Sequence, residues 1–456
     1  MRSNNSTTRD ANRRKFLKAA GVAGAIGLSG CIGGGNDSGD GGSGSGGTTG
    51  SAGSETITVN YWRYFGGGDG FAMEKLVKEF NEKHDNIQIN EQQNPVEGYI
   101  DKLYAAASGG NMPDMVAMFG GYARAMQPLV EPLDPYISDK TTNAYFDVTW
   151  SKSEVGGNHL FLPIDFHGRV LYYNRDILSQ VGADKPPTKD WNKFVDLCNS
   201  IKSETDKQPF ALDPTVRVVN TVTLFYMHYR QRGSQPFMKD NASTVAFDNE
   251  QGYKTARLWR DIYDGQYSWD PLSVDTSGAR LDKFRRGDLA MMIGGNWDVN
   301  AFKNEDGEFI GLDFGIGKPL QFPGEGENIT WGESNSIYLT KKPDRSEAKT
   351  KATIKAMEWL TQNQTVWGTN AGHLPAAKSI ATSSEVKNSK LWSKGPLSEM
   401  ADIAEKGQFS YFPQVPVPYK QPSLWKWTQD IYAGNVGPKE GVKKGAEQVQ
   451  QAIDDA

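Results

Sequence analysis

The chain has 456 residues, of which 37% are hydrophobic and 11% aromatic, and its formal net charge at pH 7 is −5. This length exceeds what one hydrophobic core usually serves, and the composition is that of a soluble globular protein with two or three domains. The acidic balance argues against nucleic acid or an anionic lipid surface as the main partner, so we expect no nucleic-acid partner.

Residues 1–30 have the pattern of an export signal. A twin-arginine motif at 13–18 precedes an apolar run of small residues at 19–28. That run is shorter than the roughly 20 residues that span a bilayer, which favours a cleaved signal peptide. The residues at 28–31 form a lipobox that ends at Cys31. We therefore predict a lipoprotein whose acylated Cys31 anchors it at the cell surface, on the outer face of the cytoplasmic membrane.

Residues 31–54 are predicted to form a flexible tether between this anchor and the body of the protein. Positions 32–54 are almost all Gly, Ser, Thr, Asp and Asn, which bury too little apolar surface to offset the entropy lost on ordering. The other cysteine, Cys198, falls in phase with Phe194 and Ile201 on a predicted helix and is expected to be a buried hydrophobic residue. No disulfide is therefore expected.

The body of the chain begins with alternating strands and helices. Strands are predicted at 56–62, 87–89 and 114–119, a glycine-rich loop at 66–70, a helix with Phe71, Met73, Leu76, Val77 and Phe80 on its apolar face, and a second helix within 92–107. This order predicts an α/β fold with a mostly parallel sheet. Residues 191–260 are predicted to be mostly helical, and later helices are predicted at 346–368 and from 438 to the C-terminus.

Motifs of known enzyme classes are absent from the sequence. The five histidines have neither HExxH nor paired-ligand spacing, and there is no GxSxG motif. The loop at 66–70 lacks the Lys of a phosphate-binding loop. A pair of carboxylates for glycoside hydrolysis stays open, because Asp and Glu are abundant and nothing singles out one pair. We expect no catalytic residues, no cofactor and no metal.

Aromatic residues recur beside glycines where predicted strands end. They are Tyr64 before the loop at 66–70, Tyr122 after a Gly pair, Trp297 after Gly-Gly-Asn, Trp331 before Gly332, and Trp425 and Trp427 near the end of the chain. Glycine lets the backbone approach a ligand, and an aromatic ring offers a flat face to the C–H face of a sugar. A single Trp is more often part of a core. The repeated placement favours a sugar-binding cleft.

Five segments of the chain together resemble a known family. They lie at 112–116, 162–176, 181–191, 284–297 and 356–375, and the segment at 284–297 ends in Gly-Gly-Asn-Trp. In this order they resemble the family 1 extracellular solute-binding proteins of ABC importers, of the maltose- and oligosaccharide-binding type. The resemblance covers essentially the whole mature chain. It implies a monomeric substrate-binding component, not an enzyme, which delivers a sugar to the membrane subunits of an ABC permease.

The resemblance also implies an α/β, periplasmic-binding-protein-like fold of type II, with two discontinuous lobes and a central ligand cleft. Lobe 1 would hold 55–165 and 333–394, and lobe 2 would hold 166–332 and 395–456. The chain would then cross between the lobes three times. A ligand that contacts both lobes favours the closed state through its additional contacts there.

The family's ligand-binding positions are carried over one by one. Asp69 matches a sugar-hydroxyl ligand after the first strand, with a helix N-cap as the alternative. Tyr122 and Arg124 match the loop after the third strand. His167, beside Asp165 at the first crossing, matches a hydroxyl partner, with a hinge residue satisfied by the backbone as the alternative. The remaining positions are Trp297 as a stacking platform, Trp331 and Glu333 at the second crossing, and Trp425, with which Trp427 competes.

Several alternatives stay open at this point. Within the family, the rival ligands are glycerol phosphates, for which Arg124 and Arg169 are candidates, polyamines, for which Asp69, Asp165 and Glu333 are candidates, and metal ions. From other classes, a polysaccharide-cleaving lipoprotein and a surface adhesion module are the rivals. The signal and tether also resemble those of haloarchaeal surface lipoproteins, which indicates an archaeal source. The Asn-x-Ser/Thr triplets at Asn241, Asn328 and Asn363 are candidate glycosylation sites.

Overall fold

A computed structural model describes residues 56–96, 98–212, 219–269, 277–304, 309–318, 321, 326, 329–393, 397, 400, 403, 406, 408–417 and 422–456. The predicted signal peptide, Cys31, the tether and Asn328 lie outside the described residues. The strands are β1 (Ile57–Arg63), β2 (Ile87–Gln93), β3 (Met115–Phe119), β4 (Glu154–Val155), β5 (Asn158–His159), β6 (Phe161–Pro163), β7 (Asp165–Asn174), β8 (Gln208–Ala211), β9 (Met238–Lys239), β10 (Thr244–Val245), β11 (Leu289–Gly295), β12 (Phe314–Gly317), β13 (Thr330–Glu333), β14 (Asn335–Leu339), β15 (Leu374–Pro375) and β16 (Phe409–Ser410).

Helices fill most of the segments between the strands. The α-helices are α1 (Gly67–Lys83), α2 (Tyr99–Ser108), α3 (Ala123–Met126), α4 (Asp139–Thr142), α5 (Asp147–Trp150), α6 (Arg175–Gln180), α7 (Trp191–Glu204), α8 (Val219–Arg232), α9 (Glu250–Asp264), α10 (Ser277–Arg285), α11 (Glu347–Gln362), α12 (Lys378–Ala381), α13 (Ser384–Lys387), α14 (Pro422–Ala433) and α15 (Pro438–Asp454). Turns of 3₁₀-helix lie at Gly120–Tyr122, Gln127–Leu129 and Asn296–Phe302, and a π-helical turn lies at Trp367–Ala371. None of the described helices combines the length and the apolar composition that a membrane-spanning segment needs.

The first sheet has five strands in the order β2-β1-β3-β14-β6. Strand β1 pairs in parallel with β2, from Ile57↔Ile87 onward, and with β3. The alternation of β-strands with α1 and α2 produces this parallel part, because a helical crossover returns the chain to the same end of the sheet. Helix α1 buries Met73, Leu76, Val77 and Phe80 as predicted, whereas Phe71 is 57% exposed.

The second sheet is organised around β7, whose ten residues are all buried. Its order is β16-β13-β7-β11-β8, and β12 and β15 also pair with β7. Strands β11, β12, β13 and β15 all run antiparallel to β7. The long antiparallel strand therefore collects segments from distant parts of the chain at one place.

The prediction of a mostly parallel sheet is wrong beyond β3. Strand β14 runs antiparallel to both β3 and β6, and most pairs in the second sheet are antiparallel. Single residues, Ile164 and Ser334, separate β6 from β7 and β13 from β14. Without a helical crossover, a strand that returns to the sheet has to run antiparallel to its neighbour.

The chain passes from the first sheet to the second between β6 and β7, and it returns between β13 and β14. The mixed α/β fold with two sheets agrees with the predicted two-lobe architecture. The predicted lobe boundaries at 165/166, 332/333 and 394/395 stay predictions, and 394–396 lie outside the described residues.

Helix predictions differ from the structure mainly at their ends. The helix predicted within 92–107 is α2, whereas Gln92 and Gln93 belong to β2. The helix predicted at 346–368 ends as α11 at Gln362, and the π-helical turn follows. The prediction for Cys198 is confirmed, since this free cysteine is fully buried on α7.

Candidate functional site

The candidate site lies on one face of β7, where the chain enters the second sheet. Side chains alternate along a strand, so Asp165, His167 and Arg169 lie on the same side. Strand β13 pairs with β7 at Glu333↔His167, which places Glu333 and Trp331 on that side as well. All five side chains are almost fully buried. The site is therefore an ordered polar and aromatic cluster.

Phe409 covers the opposite face of the β7–β13 pair. A Cβ at Gly168 would lie 2.5 Å from the Phe409 ring and 2.5 Å from the carbonyl oxygen of Trp331. A Cβ at Gly332, which is paired with Gly168, would also lie 2.5 Å from that ring. Only glycine fits at these two positions, and the close packing fixes the two strands that carry the site.

Asp165 is the centre of a buried hydrogen-bond network. Its Oδ1 accepts from the Asn335 backbone N–H and from His167 Nδ1, both at 2.8 Å. Its Oδ2 accepts from Asn335 Nδ2 at 2.7 Å and from the Trp367 indole N–H at 2.9 Å. Burial alone would raise the pKa of Asp165, but nearby His373 and His167 lower it. The four donors occupy the acceptor sites of an ionised carboxylate.

His167 is held in one orientation by this carboxylate. The ionised Asp165 can only accept a hydrogen bond from His167 Nδ1. When the imidazole is neutral, its single N–H proton is therefore on Nδ1. Burial lowers the pKa of His167, although Asp165 opposes that shift. A neutral His167 then has Nε2 as a hydrogen-bond acceptor. The ring is therefore held by a side chain and not by the backbone, as the alternative of a hinge residue had supposed.

His373 joins this group from a distant part of the chain. Its Nε2 lies 3.1 and 3.2 Å from the two carboxylate oxygens of Asp69, and its Nδ1 lies 3.5 Å from Asp165 Oδ2. Burial alone would lower the pKa of His373, but Asp69 and Asp165 raise it to about 9. At neutral pH His373 is therefore a cation between two carboxylates. Asp69 lies in the first turn of α1, whose N-cap position is Gly66, so Asp69 is not the N-cap.

A metal ion is the first ligand to consider for such a cluster. Among the described residues, Asp165, His167 and His373 have ligand atoms that all lie within 4.8 Å of one another. However, Asp165 already accepts four N–H donors, and Asp69 binds one nitrogen of His373. A metal at Asp165 would have to break the bond that orients His167, so this arrangement favours hydrogen bonding over coordination.

Glu333 and Trp331 each carry a buried polar atom that lacks a partner among the described residues. Glu333 Oε1 accepts from the Gly121 N–H at 2.7 Å, whereas Oε2 and the Trp331 indole N–H have no partner among the described residues. Burial raises the pKa of Glu333 to about 8, with a further contribution from the charge of Asp165. Buried polar atoms without partners are rare in folded proteins, because each costs about 1–3 kcal/mol. This pair is therefore a candidate place for a ligand.

Trp297 lies between the two histidines and the arginine of the site. Its ring is stacked on His373 at 14°, with centroids 6.0 Å apart, and the His167 ring meets it edge-on at 5.3 Å. The Arg169 guanidinium lies 5.5 Å from the centroid of Trp297 and 5.7 Å from that of Trp331. Trp297 is partly exposed, so part of its ring faces away from these neighbours.

Two predicted tyrosines form the wall of the site on the side of the first sheet. The Tyr64 hydroxyl donates to Asn335 Oδ1, and its ring lies 4.6 Å from that of Phe119. Phe119 in turn contacts Tyr122 at 5.7 Å and His167 at 6.5 Å between centroids. The aromatic residues beside the glycine loops thus converge on the β7 face.

Two predicted site residues are placed differently. The Arg124 guanidinium donates to the backbone carbonyl of Asn241, in the turn between β9 and β10. Trp425 is partly buried on α14 and packs against the main core, whereas Trp427 is fully part of that core. No described contact joins Arg124 or Trp425 to the cluster on β7, and their predicted ligand contacts stay predictions.

The sequence interpretation missed four residues of the cluster. They are Asn296, Asn335, Trp367 and His373. His373 stood inside a matched segment, yet it is far from His167 in the chain. The pairing of β15 with β7, at Leu374↔Phe166, brings the two histidines together. No local pattern predicts that pairing.

The fold and the site together indicate a class of protein. Two α/β lobes share crossing strands, and these strands carry polar and aromatic side chains on the face that holds the site. Aromatic rings with a few convergent polar groups between two lobes are typical of small-molecule binding proteins. Residues 75–393 match the family model of bacterial extracellular solute-binding proteins, and the chain belongs to this family.

Individual relatives agree with this assignment. The chain is 23% identical over 399 residues to the galactooligosaccharide-binding protein of Bacillus subtilis, with 84% of this chain and 86% of that one covered. It is 24% identical over 350 residues to a maltooligosaccharide ABC transporter solute-binding lipoprotein of Streptococcus pneumoniae, with 72% and 74% covered. The structure resembles that of a cyclic α-maltosyl-1,6-maltose binding protein from Arthrobacter globiformis, with a TM-score of 0.71, 20% identity, and 88% and 100% covered. This likeness confirms the predicted two-lobe fold.

Proposed function

We propose that this protein is the substrate-binding component of an ABC importer, which captures a sugar or oligosaccharide between its lobes and delivers it to a membrane permease. The family assignment supports the role in solute capture. Relatives named for galactooligosaccharide and maltooligosaccharide binding support the class of ligand. The ten sequence-predicted positions, of which eight converge around β7, are the proposed ligand contacts.

The observation that carries the proposal is the pair of partnerless atoms on β13. Trp331 Nε1 can only donate a hydrogen bond, while the carboxyl oxygen of Glu333 accepts or, when protonated, also donates. A sugar hydroxyl both donates and accepts. A neutral polyhydroxylated ligand therefore satisfies both atoms whichever protonation state Glu333 has.

The rival ligands fit this pair less well. A polyamine only donates, so it would leave the Trp331 N–H without an acceptor. A glycerol phosphate would bring negative charge next to the ionised Asp165, and the described cations nearby are already engaged. Arg169 lies against two indole rings, and His373 lies between two carboxylates.

Cellular placement is a further part of the proposal. Acylation of Cys31 after twin-arginine export would hold the protein as a monomer on the outer face of the cytoplasmic membrane, within reach of its permease. The membership of an extracellular family supports export. One relative is itself named as a lipoprotein, which supports the lipid anchor. The predicted archaeal source fits the same signal and tether.

The test is a ligand screen on the purified chain with malto-oligosaccharides, glycerol 3-phosphate, spermidine and zinc. A ligand at about 100 times its Kd adds about 2.7 kcal/mol to the free energy of unfolding, which raises the Tm by a few degrees. We expect stabilisation by a sugar. Trp331→Phe keeps an aromatic ring at this position and removes the indole N–H. It should weaken the Kd for the sugar about tenfold.

Trp359→Phe is the matched control. Trp359 lies on α11, packs against Phe80 of α1 and is outside the cluster. It should leave the Kd unchanged. Stabilisation by spermidine or glycerol 3-phosphate and not by any sugar would contradict the proposed ligand. Release of shorter sugars during the incubation would instead favour the polysaccharide-cleaving alternative, in which Asp165 or Glu333 would be catalytic.

A further inference from the structure

The side chain of Asn296 continues the hydrogen bonding between β11 and β7 beyond the last backbone pair of the two strands. The ladder between these strands ends at Gly295↔Arg169. The next amide of β7, the Gly168 N–H, donates to Asn296 Oδ1 at 2.8 Å. A side-chain oxygen therefore replaces the strand carbonyl, and it holds the backbone directly beside His167.

The NH₂ group of the Asn296 side chain bonds the loop that contains His373. Asn296 Nδ2 donates to the backbone carbonyl of Gly372, the residue before His373. Gly372 has a φ of 81°, and a Cβ there would lie 2.8 Å from Val299 in the turn that Asn296 begins. Glycine is needed both for this left-handed backbone and for the close approach. The loop is thus seated on the turn.

Three side chains of the cluster lie on the segments that these two bonds join. The rings of His167 and His373 lie 5.1 Å apart between centroids, at 82°, and Trp297 contacts both. His167 belongs to β7, His373 to the loop, and Trp297 to the turn. The fully buried Asn296 side chain is bonded to the first two segments and is the direct neighbour of Trp297.

We propose that Asn296 is a positioning residue for the ligand cluster, whose side-chain amide fixes the His373 loop and the Trp297 turn against the crossing strand β7. The proposal concerns the geometry of the cluster, and its effect on affinity rests on the proposed sugar-binding function. Asn296 bonds the backbone beside the proposed ligand-binding residues, at Gly168 and Gly372, and by this proposal does not contact the ligand.

Asn300 provides a matched comparison in the same turn. Its Nδ2 donates to the carbonyl of Ala371 at 2.8 Å, one residue before Gly372. Asn300 thus bonds the same loop, whereas its side chain makes no described bond to β7. Replacement of Asn300 removes one support of the loop and leaves the link between loop and strand intact.

The experiment combines amide hydrogen exchange with NMR of the histidine rings, and it needs no ligand. The chain has five histidines, so single substitutions can assign their signals. Asn296→Ala should speed exchange of the Gly168 amide about tenfold or more and should abolish the ring-current shift that Trp297 imposes on His373. Asn296→Asp keeps the acceptor for Gly168 and loses the donor to Gly372, so it should preserve slow exchange and still abolish the shift. Asn300→Ala should leave both signals unchanged.

Sugar affinity is the functional readout. Both Asn296 variants should weaken the Kd about tenfold, while Asn300→Ala should change it by less than about threefold. Unchanged exchange and ring shifts in Asn296→Ala would overturn the proposal, and so would equal effects of the Asn296 and Asn300 variants. If the wild-type chain binds no sugar, the proposed function fails, and the exchange and NMR measurements still decide the role of Asn296.

Discussion

His228 shows how burial changes the titration of a single side chain in this protein. It is fully buried on α8, and its Nδ1 accepts from the Trp259 indole N–H at 2.9 Å. Burial, with a smaller contribution from the charge of Arg232, lowers the pKa of His228 to about 3. The unfolded chain has a histidine pKa of about 6.5. Between these values the unfolded state binds a proton that the native state excludes.

Stability should therefore fall as the pH is lowered below about 6.5, by about 1.4 kcal/mol per pH unit from His228 alone. Urea unfolding at pH 7.5, 6 and 5 measures this slope. His228→Gln, which removes the titrating group, should reduce this slope by that amount. An equal slope in wild type and His228→Gln would contradict the assignment.

At the level of single residues, sequence patterns indicated which residues belong to the candidate site, but not which contacts each of them makes. Aromatic residues beside glycines pointed to Tyr64 and Trp297, and the family resemblance pointed to His167 and Glu333. What these patterns could not supply is the partner of each polar atom. The cation formed by His373 depends on Asp69, far earlier in the chain, and such pairs become visible only when the fold brings them together.

The β7–β13 pair determines the geometry of the site at the level of secondary structure. Gly168→Ala would place a methyl group 2.5 Å from the Trp331 carbonyl oxygen and 2.5 Å from the Phe409 ring. Because the first of these atoms is backbone, β13 would have to shift. We expect a loss of about 1–3 kcal/mol in the free energy of unfolding and weaker ligand binding, measured by urea unfolding and calorimetry.

Gly278→Ala on α10 is the control for this substitution. Nothing lies within 4 Å of a Cβ at Gly278. The change should be neutral or stabilise the protein by less than about 1 kcal/mol, because alanine narrows the unfolded ensemble. Wild-type stability of Gly168→Ala would show that β13 accommodates the methyl group without strain.

The early elements follow from periodicity and the later ones do not. Alternation at β1 and the apolar stripe of α1 indicate both structures locally, and the regular order β-α-β-α-β fixes the parallel pairing of β1 to β3. Strand β7 pairs with segments more than a hundred residues away, such as β11 and β13. The sequence indicates that these segments are buried strands. It does not indicate which strands they pair with.

Anchoring concerns the whole molecule, and its two cysteines allow a matched test. Cys31→Ser removes the predicted site of acylation, so the protein should move from the membrane fraction of cells to the medium. Cys198→Ser should leave it in the membrane fraction, because that thiol is buried in the core of the body. Immunoblots of the two fractions measure the distribution. Retention of the Cys31→Ser variant at the membrane would contradict the lipid anchor.

Strand β7 has a consequence for the rate and cost of ligand capture. Its side chains lose their rotamer freedom when the chain folds, because four other strands and Phe409 enclose it before any ligand arrives. The conformational entropy that a disordered site would lose on ligand binding is therefore already lost on folding. Under the proposed function, binding of a solute then requires little rearrangement of β7 itself, so differences in affinity among ligands should arise mainly from their dissociation rates.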